Sequence, residues 1–531
     1  MAHHEREYED EDAATSAVGG SGNEGTAPAS PQDPAVPAPG AERALPPPAA
    51  LALRSLSVFP GADFTALCAA ALLGHPAEQA GEVLDVLLEA RCLASTGPGR
   101  FRLLEPHFAP ARIPGGEHEG EAERAALIRV TRWYLASIDA AGQATETLRP
   151  SVADPSLDGP EPESIADRGS AAAWYRAEHA NLLPLMHAAA NAGLNDETWR
   201  IAVGLGPLHS IAGSLQTWLQ AAQIGLAAAQ AAGDAGGEGR VLLTLATAYS
   251  LDGRPDAAAE ALENALSIFT AAADLPGMID AENRLGLLLR DLRDLAGAQV
   301  RFRRVLDLAH GERPLIWQAL AWENLAEAAQ TGGHGADAEQ FADRAASLYE
   351  QAGAEPHMRV GPLLVLARVH REAGRLEQAG QDTERATKIL TDGAVSNRWL
   401  EYAVGIERGH GHLTAGQSEQ ALEEFRRCAE LTLELGNRPR EARAATALAT
   451  ATLAAGRPEQ ASDIATTAAE LARAHATGYD TAAALDVLAQ ALAAQDEHAA
   501  ATQIYAQAAD LLTTYPDPTA TALRTRLLAA R

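Results

Sequence analysis

Seven turn positions recur along the 531-residue chain at steps of 40, 40, 41, 42, 40 and 40 residues: Gly253, Arg293, Gly333, Gly374, Gly416, Gly456 and Asp496. Five residues after each stands an alanine: Ala258, Ala298, Ala338, Ala379, Ala421, Ala461 and Ala501. Twelve residues after each comes Ala265, Val305, Ala345, Ala386, Cys428, Ala468 or Ala508, always small. Eight and seven residues before lie Leu245-Ala246, Leu285-Gly286, Leu325-Ala326, Leu366-Ala367, Leu448-Ala449 and Leu488-Ala489, with Arg408-Gly409 alone breaking the leucine. Two antiparallel helices stack closely only where side chains are small, and a glycine between them permits the backbone reversal. Each unit is thus a helical hairpin that cannot bury its own apolar face, so the hairpins must stack into a solenoid.

These spacings resemble the tetratricopeptide repeat, whose pattern recurs in "LATAY" (Leu245 to Tyr249) and in Phe302, Phe425 and Tyr505, nine residues after their turns. The period exceeds the usual repeat length of about 34 residues, which implies longer helices. HEAT repeats share a period near this one, but the glycine turn and the phase of the small residues favour the tetratricopeptide reading. One step upstream, Gly213 follows Leu205-Gly206 and precedes Trp218, giving an eighth, degenerate capping repeat.

Composition agrees with an all-α, tetratricopeptide-like solenoid, since aromatics are 5% and alanine abounds, whereas strands draw on β-branched and aromatic side chains. Before the repeats we expect a disordered acidic, Pro/Gly-rich tail over 1–47, a small winged-helix-like domain over 48–112, and a helical connector with a mobile loop over 113–195. The repeats themselves fill 196–531. The winged helix is read from "LALRSLSVFPGADFTALCAAALLG", "EVLDVLLEARCLAS" and the strand-like "RFRLL". Its third helix offers Glu82, Asp85 and Glu89 against Arg91 alone, and the net charge is 42 − 71 = −29. Phosphate backbones and anionic lipid are repelled by such a balance, so direct nucleic-acid and membrane partners are excluded.

Cys68, Cys92 and Cys428 are widely spaced and read as small packing residues in a reducing cytoplasm. No export signal or bilayer-length apolar run appears. Lys388 is the single lysine and lies outside any glycine cradle, which removes a phosphate-binding loop and Schiff-base chemistry. With no HExxH, GxSxG or GxGxxG either, we expect no enzyme, no cofactor and no metal. His3 and His4 read as incidental, and His410 and His412 as solvated groups on a locally distorted helix.

The face to examine for binding is the inner one of each first helix, ten, six and three residues before the turn, where positions are i, i+4 and i+7 neighbours. Its polar members are Asn283, Arg290, Glu323, Glu327, Gln330, Arg368, Arg371 and His410. A second cluster is "WYRAEHANLL", with Trp174, Glu178 and Asn181 at helical spacing. With no nucleophile nearby, we read it as a structural junction in which Trp174 seats against the first hairpins.

In order, "LRSLSVFPGADF", "LDVLLEARCLAS", "GRFRLLEPHFAPA", "RWYLASIDAA" and "WYRAEHANLL" followed by long repeats resemble the C-terminal half of actinobacterial STAND/NB-ARC-type regulators of the Streptomyces antibiotic regulatory protein group. The resemblance runs over about residues 48 to 515 and lacks the nucleotide-binding and DNA-binding domains. His107 is near where that family contacts nucleotide but matches no signature. The resemblance implies a cytoplasmic, non-catalytic scaffold or regulatory adaptor with a protein or peptide partner, and a homo-oligomer is compatible with it. The alternative is a sensor whose solenoid binds a small molecule or signalling peptide and changes oligomeric state.

Overall fold

The computed structural model describes residues 45–104, 117–145, 151–153, 161–310, 315–392, 397–435 and 437–530. The tail before Leu45, His3, His4, His107 and the 154–160 part of the loop lie outside them. Helix α1 (Pro47–Ser57) opens with proline in its first turn, where the missing N–H costs nothing. Strand β1 (Phe64–Thr65) leads into α2 (Ala66–Leu73), whose first turn is capped by the Thr65 hydroxyl accepting from the Cys68 amide. Helix α3 (Ala77–Glu89) follows, and β2 (Leu93–Gly97) and β3 (Arg100–Leu103) complete an antiparallel sheet of order β1-β3-β2. This is the winged-helix arrangement. The sequence reading caught β3, but took Leu93 to Ser95 as the end of a helix; Arg91, at φ 55°, stops α3 and frees that segment to pair. Glu82, Asp85 and Glu89 are all exposed, so the third helix presents an acidic face.

Helices α4 (Glu117–Gln143) and α5 (Arg168–Asn191) join this module to the first hairpin, α6 (Asn195–Ala212) and α7 (Leu215–Ala232). One hydrophobic core runs without interruption from Ala49 to Ala221 and buries Trp133, Tyr134 and Tyr175. The winged helix, the connector and the first hairpin therefore share a single interior. Gly213 is extended rather than left-handed, and Ser214 caps α7 in its place.

Seven further hairpins follow: α8 (Ala235–Leu251) with α9 (Pro255–Ala271), α10 (Leu275–Asp291) with α11 (Leu295–Leu308), and α12 (Leu315–Thr331) with α13 (Gly335–Gln351). Then come α14 (Val360–Glu372) with α15 (Leu376–Asp392), α16 (Arg398–Thr414) with α17 (Ser418–Leu435), α18 (Arg438–Ala454) with α19 (Pro458–His475), and α20 (Gly478–Ala493) with α21 (His498–Leu511). All seven turn positions read from the sequence have positive φ, between 63° and 77°. Arg293 and Asp496 adopt it without glycine, at a cost of about 1–2 kcal/mol each. Every alanine five residues past a turn is buried, as is every small residue twelve past it.

Glycine rather than alanine seven residues before a turn, at Gly286 and Gly409, has a steric cause. A Cβ on Gly409 would lie 2.4 Å from Phe425 Cε1, and one on Gly286 would lie 2.4 Å from Phe302 Cε1. Where phenylalanine fills the slot nine residues past the turn, the facing residue must lose its side chain.

The last helix, α22 (Pro518–Ala529), brings the chain back to the middle of the solenoid. The Arg293 guanidinium donates to the Asp517 carboxylate at 2.9 and 2.6 Å, lies 3.7 Å from the Tyr479 ring centre, and joins positions 224 residues apart. The Thr519 hydroxyl donates to the Thr331 carbonyl at 2.9 Å. The first helices from α10 to α20 thus surround a channel, and Arg440 and Arg443 on α18 feel the charge of Asp291 on α10 across it. Among the described residues no helix is long and apolar enough to cross a membrane. Cys68, Cys92 and Cys428 are all buried.

Candidate partner-binding channel

Helical spacing puts Asn283 and Arg290 on α10, Glu323, Glu327 and Gln330 on α12, Arg368 and Arg371 on α14, and His410 on α16, and stacking brings most of them together. Asn324 donates its amide to Asn283 at 2.8 Å, and Arg290 pairs with Glu327. Gln330 accepts from Arg368 at 3.0 Å and donates to Glu372 at 2.9 Å. Arg368 reaches Glu407 on α16 at 2.8 Å, and Arg371 reaches the same carboxylate at 3.4 Å. The result is a ladder of polar rungs between successive first helices.

Glu323 stands apart from the ladder: it accepts from the Tyr349 hydroxyl at 2.6 Å and lies so close to Gly361 that no Cβ fits there. Burial pushes its carboxyl up to about 8. Burial also pushes Glu407 upward, but Arg368, His410 and Arg371 outweigh it and the net shift is down. His410 is not on a distorted helix, because α16 runs unbroken; its ring meets Phe425 edge-on at 5.1 Å, and burial lowers its pKa to about 4. His412 donates from Nδ1 to the Gln417 side-chain carbonyl oxygen, 2.8 Å away.

The sequence reading missed the far wall. Arg443 on α18 holds Asp480 on α20 at 2.8 and 3.2 Å, and this pairing outweighs burial to keep Asp480 below its ordinary pKa. The Arg440 guanidinium sits 4.5 Å over the Trp399 ring and 5.8 Å from that of Tyr402. Among the described residues no carboxylate pairs with it. Beyond these arginines a cleft of ≈ 460 Å³ opens between α18, α20 and α22, walled by Thr446, Thr450, Ala483, Val487, Ala522 and Leu523. Arg440 and Asp480 could have been found from the 40-residue period, since they are equivalent positions at the start of successive first helices, with Trp399 one residue off that register.

The Trp174 cluster lies elsewhere, in the shared core. Glu178, 1% exposed, accepts from Tyr134 on α4 at 2.6 Å, from Arg100 on β3, and from Asn181 one turn on at 2.8 Å. Asn181 also donates to the Asp63 carbonyl and accepts from the Ala62 amide, both at 2.9 Å, while Arg100 pairs with Asp63. Trp174 packs toward Tyr134, with ring centres 6.5 Å apart, within the core that the connector shares with the first hairpin. Its neighbour Tyr175 meets the first hairpin, its hydroxyl 2.8 Å from His209 Nδ1, and His209 in turn stacks on Trp218 at 5.7 Å. Burial lowers the His209 pKa to about 3, so the imidazole is neutral.

No family model matches the chain. It is 29% identical over 339 residues to the regulatory protein AfsR of Streptomyces coelicolor, covering 61% of this chain and 34% of that protein. To AfsR of Streptomyces griseus it is 28% identical over 319 residues, covering 58% and 32%. The chain is homologous to the AfsR regulators. It spans about a third of the length of these relatives. Its fold is shared with a signal transduction ATPase with numerous domains (STAND) carrying a tetratricopeptide repeat sensor, from Pyrococcus horikoshii. That match has a TM-score of 0.51 at 14% identity, over 92% of this chain and 66% of that one. The shared region holds the winged-helix module as well as the repeats.

Proposed function

We propose that this AfsR homologue is a non-catalytic regulatory scaffold whose solenoid channel receives an extended segment of a protein or peptide partner in bacterial transcriptional or secondary-metabolism control. The observation that supports this is the polar ladder. Amide and guanidinium groups stand at regular spacing along the inner helices, and such a row can read the backbone and side chains of an extended chain. Arg290, Arg368 and Arg371 keep 20%, 30% and 18% of their side-chain surface open to the channel. They are ordered by their carboxylate partners yet still reachable, so a partner meets preorganised donors.

Affinity purification from the native cell with the wild-type chain and with Arg371→Glu tests the reading. Arg371 makes only the longer contact to Glu407, so its reversal leaves the Arg368–Glu407 rung in place. The expected result is loss of one or more co-purifying proteins with unchanged circular dichroism. An identical partner list from a folded variant rejects the channel as the binding surface.

A further inference from the structure

The wall formed by α16, α18, α20 and α22 differs from the rest of the channel in holding both an uncommitted cation and an apolar recess. We infer that it is a recognition site for an acidic side chain followed, two or three residues along an extended peptide, by an apolar one. This rests on the channel reading above and narrows its partner class.

The cation is Arg440. Its neighbours Arg443, Arg368 and Arg371 each have a carboxylate within hydrogen-bond reach, Asp480 for the first and Glu407 for the other two. Arg440 has instead the faces of Trp399 and Tyr402, which hold the planar guanidinium flat by cation–π attraction and leave its N–H edge unspent. A guanidinium fixed in this way accepts a carboxylate with little further loss of side-chain freedom. The nearest acidic groups across the channel, Asp291 and Glu327, already belong to Arg290.

The recess is the ≈ 460 Å³ cleft, whose aliphatic lining from α20 and α22 shares the wall with the Tyr479 ring, two threonines and the Asp486–Arg526 pair. Arg440, Arg443, Thr446 and Thr450 follow one another at helical spacing on the same face of α18, so the recess continues the arginine row. Six residues at 1.5 Å each separate Arg440 from Thr446, about 9 Å along the helix. An extended peptide covers that span in two to three residues at about 3.3 Å each. One acidic and one apolar side chain at that separation reach both features together.

The test uses the full chain and an arrayed library of N-acetylated hexapeptide amides, in which any carboxylate must come from Asp or Glu, with affinities of selected members read by fluorescence anisotropy. The wild-type chain should select Asp or Glu two or three positions from Leu, Ile or Met. Arg440→Ala should weaken the best hexapeptide at least tenfold and erase the acidic preference while keeping the apolar one. Ala483→Phe, which fills the recess, should do the reverse. Arg440→Lys keeps charge without the stacked fork and should recover only part of the affinity; thermal melting confirms that each variant is folded. Hexapeptides that bind, weaken in Arg371→Glu and ignore Arg440→Ala overturn this inference and leave the channel reading standing. Failure of the wild-type chain to bind any hexapeptide rejects both.

Discussion

Two carboxylates, Glu178 and Glu407, are buried almost equally, at 1% and 4% exposed, yet they sit in opposite kinds of surroundings. Glu178 lies at the meeting of the wing, α4 and α5, with donors from three separate elements spent on it and on Asn181. Glu407 lies on the channel wall, linked to the neighbouring first helix, with arginines beside it that still reach solvent. The contrast teaches that burial of charge does not by itself mark a functional site. A closed network whose groups are all consumed joins modules, whereas a row that orders its donors without exhausting them leaves something for a partner.

The largest effect expected from breaking this contrast is at the junction. Glu178→Ala strands Arg100, Tyr134 and Asn181, and should lower the unfolding free energy by about 3–5 kcal/mol in a denaturant titration. A loss below about 1 kcal/mol would mean that the network is not a weld. Within the solenoid, Gly409→Ala should cost about 1–3 kcal/mol through overpacking against Phe425, opposite in sign to the roughly 1 kcal/mol that alanine ordinarily gains in a helix. The smallest effect is a pH slope. The folded Glu323 carboxyl sits at about 8 against an ordinary 4.5, so the folded state holds a proton that the unfolded chain has released, and stability falls as pH rises from 4.5 through 8. His410, lowered to about 4 from 6.5, gives the opposite slope below pH 6.5. Melting temperatures between pH 6.5 and 8 therefore isolate Glu323, and Glu323→Gln should show a flatter profile there than the wild-type chain.

The solenoid was legible because its restraint is local and repeated. A turn at positive φ, an alanine five residues on and a small residue twelve on are each dictated by close helix packing, and the structure holds them in all seven units. The same period explains the rungs: the paired residues Asn283–Asn324, Arg290–Glu327, Gln330–Arg368 and Arg368–Glu407 lie 41, 37, 38 and 39 apart. Glu407 escaped because it stands one residue off the row chosen, on a face wider than three positions. Adjacent residues on a helix point to different neighbours; that Trp174 meets Tyr134 and Tyr175 meets His209 is decided by the packing of α4 and α6 and could not be read from spacing. The closure of Arg293 on Asp517 has no local signature, since it depends on the rotation summed over the intervening hairpins.

Site-specific photo-crosslinking in the native cell tests the channel most directly. A benzophenone side chain replaces His410 or Arg371 on the inner wall, or Val300 or Leu433, which are 63% and 61% exposed on the second helices. Covalent adducts with a partner from His410 and Arg371, and none from Val300 and Leu433, are the result expected. Adducts confined to Val300 and Leu433 would place the partner on the outside and contradict the account.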